Sequence, residues 1–152
     1  MTALKQYCTF FLGDLFLGVE VAHVQEVVRF QEMTRVPLAP EEVKGLINLR
    51  GQIVVAIDLR RRLGISPLEE GKLSSNVLLK TKDGTVSLMV DEIGDVIEVT
   101  EDLYEPAPET LVGIVRSLAQ GVYKLEKRLL LVLDTEKTVN LDPEITNEER
   151  KS

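Results

Sequence analysis

The sequence predicts an all-β protein built as two small β-barrels that share one core. Short β-branched or aliphatic runs bounded by turn residues dominate the 152 residues, and helical signals are brief. A weak internal repeat indicates two similar units, since residues 45–58 align without a gap over residues 121–134. Barrels are expected because closure removes sheet edges, and a shared core is expected because neither half alone could bury much surface.

Three hairpins and one buried strand account for most of the predicted strands. Each hairpin consists of two apolar runs on either side of a short turn, and glycine marks the turns of the first two. Residues 52–57 form a nearly unbroken apolar run, which is expected of a strand buried on both faces. The hairpin strands are residues 9–12 with 15–19, 76–80 with 86–90, and 121–125 with 129–133.

The predicted helices are short turns between these strands. Residues 40–43 form one turn with proline near its start, where the fixed φ angle of proline is favourable. Asp58 is predicted to cap a short helix that ends at Gly64, because aspartate accepts hydrogen bonds from the first backbone N–H groups and glycine stops a helix readily. Residues 141–152 are polar and are predicted to form a frayed tail.

The two copies of the repeat differ at the turn between their strands. The first copy carries Asn48, Arg50 and Gly51, whereas residues 124–127 of the second copy have the charged content of an ordinary solvated hairpin. If the fold needed only a turn, either set would serve. The special residues of the first copy therefore indicate a task that one half of the protein performs.

Composition and charge exclude several classes of function. The net charge of −7 repels nucleic acid and anionic membranes, and the one basic run, residues 60–62, is interpreted as a solvated helix face. No apolar run is long enough to span a bilayer, and residues 1–6 do not resemble a signal peptide, so a cytoplasmic protein is expected. The single cysteine, Cys8, is expected to be a small buried hydrophobe.

The sequence predicts no catalytic residue, no cofactor site and no metal site. His23 is the only histidine and has no partner at metal-ligand spacing, so a packed or surface position is expected. The sequence contains no motif of a serine hydrolase, a zinc protease or a phosphate-binding loop. The acidic pairs 41–42, 69–70, 91–92 and 148–149 are interpreted as surface groups. Since every catalytic class lacks its minimum parts, binding is the favoured function.

Glu26 and Arg50 are the charged residues best suited to binding. Glu26 lies among apolar residues at positions 24–28, and an apolar stripe with a fixed charge fits the recognition of a helix in a groove. A planar guanidinium can pair with a carboxylate through two hydrogen bonds, so Arg50 is predicted to contact Glu26. The alternative is that both side chains are independently solvated.

Several segments together resemble the CheW family. The resemblance rests on the Asn-Leu-Arg-Gly core of residues 44–54 with the flanking strands, and it extends over roughly residues 5–140. It implies two five-stranded, SH3-like barrels around a shared core, with no catalytic activity and no cofactor. The similar segments are residues 24–28, 44–54, 58–59, 90–96 and 129–134.

The resemblance also implies a role as an adaptor in the two-component signal transduction of bacterial chemotaxis. Adaptors of this family link the cytoplasmic tips of chemoreceptors to the histidine kinase CheA, whose regulatory domain has the same fold, at membrane receptor arrays. The kinase is expected to contact barrel edges and loops. The receptor tip would dock in the groove between the barrels, where the matching residues are Val24, Glu26, Val27, Gly45, Asn48, Leu49 and Arg50.

The chain is expected to be one domain, with residues 14–82 as the first subdomain and residues 1–13 plus 83–140 as the second. Two alternatives stay open. One is an adaptor of a dedicated array for surface motility or a non-chemotaxis pathway, and the other is a small β-barrel that binds a small ligand or an oligonucleotide. The acidic charge and few aromatic residues count against stacking of bases. A largely monomeric protein is expected, because adaptor interfaces are transient.

Overall fold

The computed structural model describes residues 3–111 and 113–141. Within these ranges the chain consists mainly of β-strands with a few short helices, which confirms the predicted fold class. The predicted polar tail lies outside the described residues except for Leu141. The strands are β1 (Leu4–Leu12), β2 (Leu15–Glu20), β3 (Val24–Val28), β4 (Val43–Leu49), β5 (Gln52–Asp58), β6 (Ser75–Thr81), β7 (Gly84–Val90), β8 (Glu92–Thr100), β9 (Tyr104–Glu105), β10 (Ala119–Lys124) and β11 (Leu129–Leu133). The helices are α1 (Leu59–Arg62), α2 (Gly113–Leu118) and α3 (Thr135–Val139), and 3₁₀ turns occupy Val21–His23 and Glu101–Leu103.

The strands form two sheets, and each sheet is built from both halves of the chain. One sheet has the strand order β8-β1-β2-β11-β10-β9, and the other has the order β3-β6-β7-β5-β4. The two halves therefore exchange their first hairpins, so that β1 and β2 join strands of the second half and β6 and β7 join strands of the first. A parallel pairing connects each exchanged hairpin to its host sheet, β2 with β11 and β7 with β5.

This exchange departs from the predicted subdomain boundaries. The boundaries at 14–82 and 1–13 plus 83–140 separate β1 from β2 and β6 from β7, but each pair lies within one sheet. The physical reason is the two-residue turn of each hairpin, which holds its strands side by side, with Leu12 opposite Leu15 and Thr81 opposite Gly84. By sheet membership, β3 to β7 form the first unit and the remaining strands form the second.

Each sheet is closed into a barrel by one continuous segment of the chain that pairs with strands at both edges. β8 pairs with β1, and after a 3₁₀ turn the same path continues as β9 on β10. In the other sheet β3 pairs with β6, and Thr34 further along exchanges backbone hydrogen bonds of 2.9 and 2.8 Å with Leu46 of β4. The six strands of the first sheet thus follow five chain paths, in agreement with the predicted five-stranded barrel.

Gly45 and Gly121 lie where the closing segment crosses each barrel. Both glycines follow an irregularity in the register of their strands. A Cβ atom on Gly45 would lie 2.7 Å from the backbone oxygen of Thr34, and one on Gly121 would overlap the ring of Tyr104. The lack of a side chain therefore allows the closing segment to approach β4 and β10.

One core cluster lies between the two sheets, which confirms the predicted shared core. It includes Phe10 and Leu17 from one sheet and Leu79 and Leu88 from the other, each 0% exposed. Burial of a side chain of this size stabilises a fold by roughly 1.5–3 kcal/mol. Cys8 belongs to the same cluster, as predicted, and its burial raises the pKa of its thiol.

The basic run at residues 60–62 is not the solvated helix face that its sequence suggests. Arg62 is 3% exposed and donates hydrogen bonds to three backbone oxygens at the end of α3. Arg60 pairs with Asp91, so the prediction that the acidic pair 91–92 is purely a surface feature was also wrong for Asp91. Consecutive helical residues point about 100° apart, so one short turn cannot present all three arginines to solvent.

Candidate functional site

The turn between β4 and β5 has an unusual backbone. Leu49 pairs with Gln52, which makes Arg50 and Gly51 the two central residues, and their φ angles are 50° and 86°. Positive values at both positions define a type I′ turn, whose twist matches that of a hairpin. Glycine adopts this conformation freely, but another residue does so at a cost of the order of 1 kcal/mol. Oδ1 of Asn48 accepts a hydrogen bond from the N–H of Gly51 at 3.1 Å and holds the turn.

Arg50 and Glu26 form an ion pair, which confirms the predicted contact. Nη2 of Arg50 donates a hydrogen bond to Oε2 of Glu26, and the two side chains are 69% and 29% exposed. An ion pair this exposed adds only about 0–1 kcal/mol to stability. The left-handed backbone at Arg50 costs at least a comparable free energy, so the ion pair and the turn together add little to the stability of the fold. Their main effect is to hold a guanidinium above β3.

The other five predicted site residues are divided between the surface and the interior. Val27 is 42% exposed on β3, and Asn48 is exposed at the turn. Val24 is half-buried and packs against the shared core. Gly45 and Leu49 are buried, so these two positions support the barrel and the turn and offer no side chain to a partner.

A groove lies beside Val27, with one wall from each sheet. Its cavity has a volume of about 470 Å³. Val96, further along β8, is 59% exposed. Sequence reasoning missed the wall formed by β8, because that strand is far from β3 along the chain and only the fold brings the two together. The lining residues are Val27, Val28, Arg29, Ser75, Glu92 and Ile93.

A second ion pair braces the two sheets at the start of β8. Nε and Nη2 of Arg60 donate to Oδ1 and Oδ2 of Asp91 at 2.8 and 2.6 Å, and the N–H of Gly13 donates to Oδ2 at 2.7 Å. Burial acts to raise the pKa of Asp91, but the hydrogen bonds from Arg60 and Gly13 outweigh it, so the pKa lies below its ordinary value. The brace connects α1 to the β1–β2 turn and fixes the residue that precedes β8.

Three further properties of the described residues concern metal ligands, the surroundings of His23 and membrane-spanning helices. In residues 3–111 and 113–141 no group of three or more acidic, histidine or cysteine side chains could hold a metal ion. Nδ1 of His23 lies 3.0 Å from Oγ1 of Thr135 and Nε2 lies 3.7 Å from Oε2 of Glu20, which fits the predicted packed or surface histidine. Across the same part of the chain, no helix has the length and apolar character needed to span a membrane.

The chain is similar in sequence and structure to several known proteins of one family. The family model described as CheW-like domain matches residues 6–142. The chemotaxis protein CheW of Bacillus subtilis is 33% identical over 130 residues, which cover 86% of this chain and 83% of that protein. The chemotaxis protein CheW of Thermotoga maritima is 31% identical over 139 residues and 90% of each chain. The crystal structure of the scaffolding protein TtCheW from Thermoanaerobacter tengcongensis has a TM-score of 0.82 and 28% identity, and the match covers 93% of this chain and 95% of that one.

Proposed function

Because this chain belongs to the CheW family, whose members are non-catalytic scaffolds of chemotaxis, we propose that it couples the cytoplasmic tips of chemoreceptors to a CheA-type histidine kinase. In this role the protein is cytoplasmic and is recruited to membrane receptor arrays. A coupling scaffold needs two separate surfaces, one for each partner. Arg50 and the groove beside Val27 together form the proposed receptor surface, and barrel edges and loops away from them supply the kinase surface.

The observation that best supports the proposed receptor surface is the left-handed backbone at Arg50. A conformation that costs free energy and returns little stability is typical of a functional position. Glu26 fixes the direction of the guanidinium, so the charged group is already oriented before a partner arrives. A receptor helix with an acidic or amide side chain at its edge could accept hydrogen bonds from the other N–H groups of the Arg50 guanidinium.

The apolar part of the groove suits a helix that lies on the surface and inserts side chains. Val27 on β3 and Ile93 on β8 provide apolar contacts from both sheets. The Arg60–Asp91 brace holds the walls in a fixed relation, so the groove is largely formed in advance. Val24, Gly45 and Leu49 act beneath this surface, and Asn48 acts through the turn.

The proposed function is tested by mixing the protein with receptor-containing membranes and a CheA-type kinase. Kinase co-sedimentation and autophosphorylation should both increase when the wild-type protein is added. The Arg50→Glu variant reverses the charge and removes the Glu26 contact, and its apparent affinity for receptor membranes should fall about tenfold or more. Far-ultraviolet circular dichroism should show that this variant is folded.

The matched control is Lys127→Glu, which makes the same change of charge in the equivalent turn between β10 and β11. This variant should bind receptor membranes like the wild type. Equal binding by Arg50→Glu and the wild type would remove the proposed receptor surface. If neither kinase sedimentation nor autophosphorylation depends on the protein, the adaptor function itself is wrong.

A further inference from the structure

Leu38 lies in a second unusual turn, beyond the opposite end of β4 from Arg50. Its side chain is fully exposed, with a relative accessibility of 104%, and its φ angle is 65°. Full exposure leaves the apolar side chain in water, and a left-handed backbone is unfavourable for a bulky residue. Two unfavourable terms therefore coincide at one residue. Within residues 3–111 and 113–141, Leu38 belongs to none of the hydrophobic clusters and forms no side-chain hydrogen bond.

The turn around Leu38 is restrained by a proline and by one backbone hydrogen bond. Pro37 precedes it, and the N–H of Ala39 donates to the oxygen of Val36 at 3.4 Å. Proline at the second position and a positive φ at the third define a type II turn, in which the third residue is ordinarily glycine or asparagine. A further turn begins at Pro40 and leads into β4. The side chain is thus presented in one backbone conformation, which lowers the entropic cost of binding it.

We propose that Leu38 is an apolar knob that inserts into a pocket on the kinase regulatory domain, an inference that rests on the proposed adaptor function. Thr34 pairs antiparallel with Leu46, so the chain runs from there toward the start of β4 and Leu38 lies past that end. Seven residues of β4 at about 3.3 Å each separate this end from Arg50 by roughly 20 Å. A receptor helix held at Arg50 therefore leaves Leu38 free for a second partner.

The surroundings of Leu38 fit a protein partner better than a lipid surface. Glu41 in the same loop pairs with Arg61 at 3.5 Å, and a polar rim beside an apolar centre is the usual arrangement of a protein interface. The net charge of −7 disfavours contact with an anionic bilayer. A single leucine also buries too little apolar surface to hold a protein of this size on a membrane.

The test compares the wild type with Leu38→Asn. Asparagine tolerates a positive φ angle, so the variant should melt at the same temperature as the wild type or higher. Its affinity for the isolated kinase regulatory domain, measured by calorimetry without receptor, should fall about tenfold because one buried leucine contact is lost. Leu73→Asn is the matched control, since Leu73 is 69% exposed without a positive φ, and it should bind like the wild type.

The possible outcomes separate this inference from the proposed function. If the wild type binds the kinase domain and Leu38→Asn binds it equally well, the proposed role of Leu38 is wrong and the proposed adaptor function stands. If the wild type binds neither the kinase domain nor receptor membranes, both proposals are wrong. Two other outcomes with unchanged kinase affinity would also overturn the proposal. If Leu38→Asn no longer sediments with phosphatidylserine vesicles, Leu38 contacts a lipid. If the variant loses a homodimer, Leu38 contacts a second copy of the chain.

Discussion

The turn between β4 and β5 and the turn between β10 and β11 lie in the same structural frame, which consists of a closing glycine, a pair of strands and a helix capped by aspartate. In both hairpins a register irregularity precedes a closing glycine, and the strand pairs that follow are equivalent, with Asn48 opposite Ile53 and Lys124 opposite Leu129. Both second strands lead into an aspartate that accepts hydrogen bonds from backbone N–H groups of the next helix, Asp58 before α1 and Asp134 before α3. The fold therefore uses the frame twice.

The tips of the two turns differ in backbone and in charge. The backbone of Arg50 lies in the left-handed region, and its side chain contacts Glu26 on β3. The second turn is instead closed by a 2.9 Å hydrogen bond from the N–H of Leu125 to the oxygen of Arg128. The guanidinium of Arg128 lies 3.9 Å from the centre of the Phe16 ring and covers the apolar surface of its own barrel. Where one frame occurs twice, the departure of one copy from ordinary geometry indicates the position with a function.

The largest expected effect concerns the two closing glycines, which are equivalent in the frame but not in their surroundings. In Gly45→Ala the new Cβ would meet the backbone of Thr34, which cannot move without breaking the closure of the barrel. We expect the free energy of unfolding to fall by about 2–3 kcal/mol, as for other overpacked sites. In Gly121→Ala the Cβ meets the outer end of the Tyr104 ring, which is 37% exposed and can turn outward, so the loss should stay below about 1 kcal/mol.

Urea unfolding of the two variants, monitored by circular dichroism, measures this difference. Both variants carry the same chemical change on strands of the same type, so each is the control for the other. Equal losses for Gly45→Ala and Gly121→Ala would mean that Thr34 yields as easily as Tyr104. The two barrels would then be closed with similar tolerance to an added methyl group.

The second prediction compares how each half holds the turn of the exchanged hairpin. Asp91 accepts from the N–H of Gly13 and is held by Arg60, whereas in the other half Glu136 accepts directly from the N–H of Lys82 at 3.2 Å. The Arg60 and Asp91 side chains are only 15% and 14% exposed, so Asp91→Asn should lower the free energy of unfolding by about 2 kcal/mol. Glu136 is exposed, and Glu136→Gln should cost less than about 0.5 kcal/mol.

The stability that Asp91 contributes depends on pH in a defined direction. Its pKa in the folded protein is lower than in the unfolded chain, where an aspartate has a pKa of about 3.9. The contribution is therefore complete above the unfolded value and is lost as the pH falls through the folded value. The difference in unfolding free energy between the wild type and Asp91→Asn should be constant at neutral pH and should shrink below about pH 4. A difference that grows on acidification would contradict the brace.

The elements of the fold could be predicted from the sequence because their causes are local. Glycine turns, apolar runs and the capping Asp58 each act over a few residues. The pairing of β2 with β11 could not be predicted, because no local pattern specifies which half a hairpin joins. The missed α2 has a related reason: six residues that begin at a glycine carry little helical signal of their own.

The candidate site could be predicted only where side-chain chemistry marks it. Glu26 and Arg50 are complementary charges in an apolar setting, and their contact followed from that alone. The positive φ angles at Arg50 and Leu38 could not be read from residue types, since neither residue favours them. The groove wall of β8 and the role of Asp91 depend on the arrangement of the sheets, and that arrangement is a property of the whole chain.

The smallest expected effect on stability concerns the tips of the two turns. A role of Arg50 in binding and a role in the fold predict changes of opposite sign in the free energy of unfolding. Asparagine is favoured at the first central position of a type I′ turn, so Arg50→Asn should relieve the backbone strain. The relief of about 1 kcal/mol exceeds the loss of the exposed ion pair with Glu26, and the free energy of unfolding should rise by about 0.5 kcal/mol. Glu126→Asn in the second turn relieves no strain and should change stability by less than this. In receptor sedimentation the order should reverse, with Arg50→Asn impaired and Glu126→Asn normal. If Arg50→Asn both unfolds more easily and binds receptor membranes normally, Arg50 serves the fold rather than the partner, and the difference between the tips has no functional meaning.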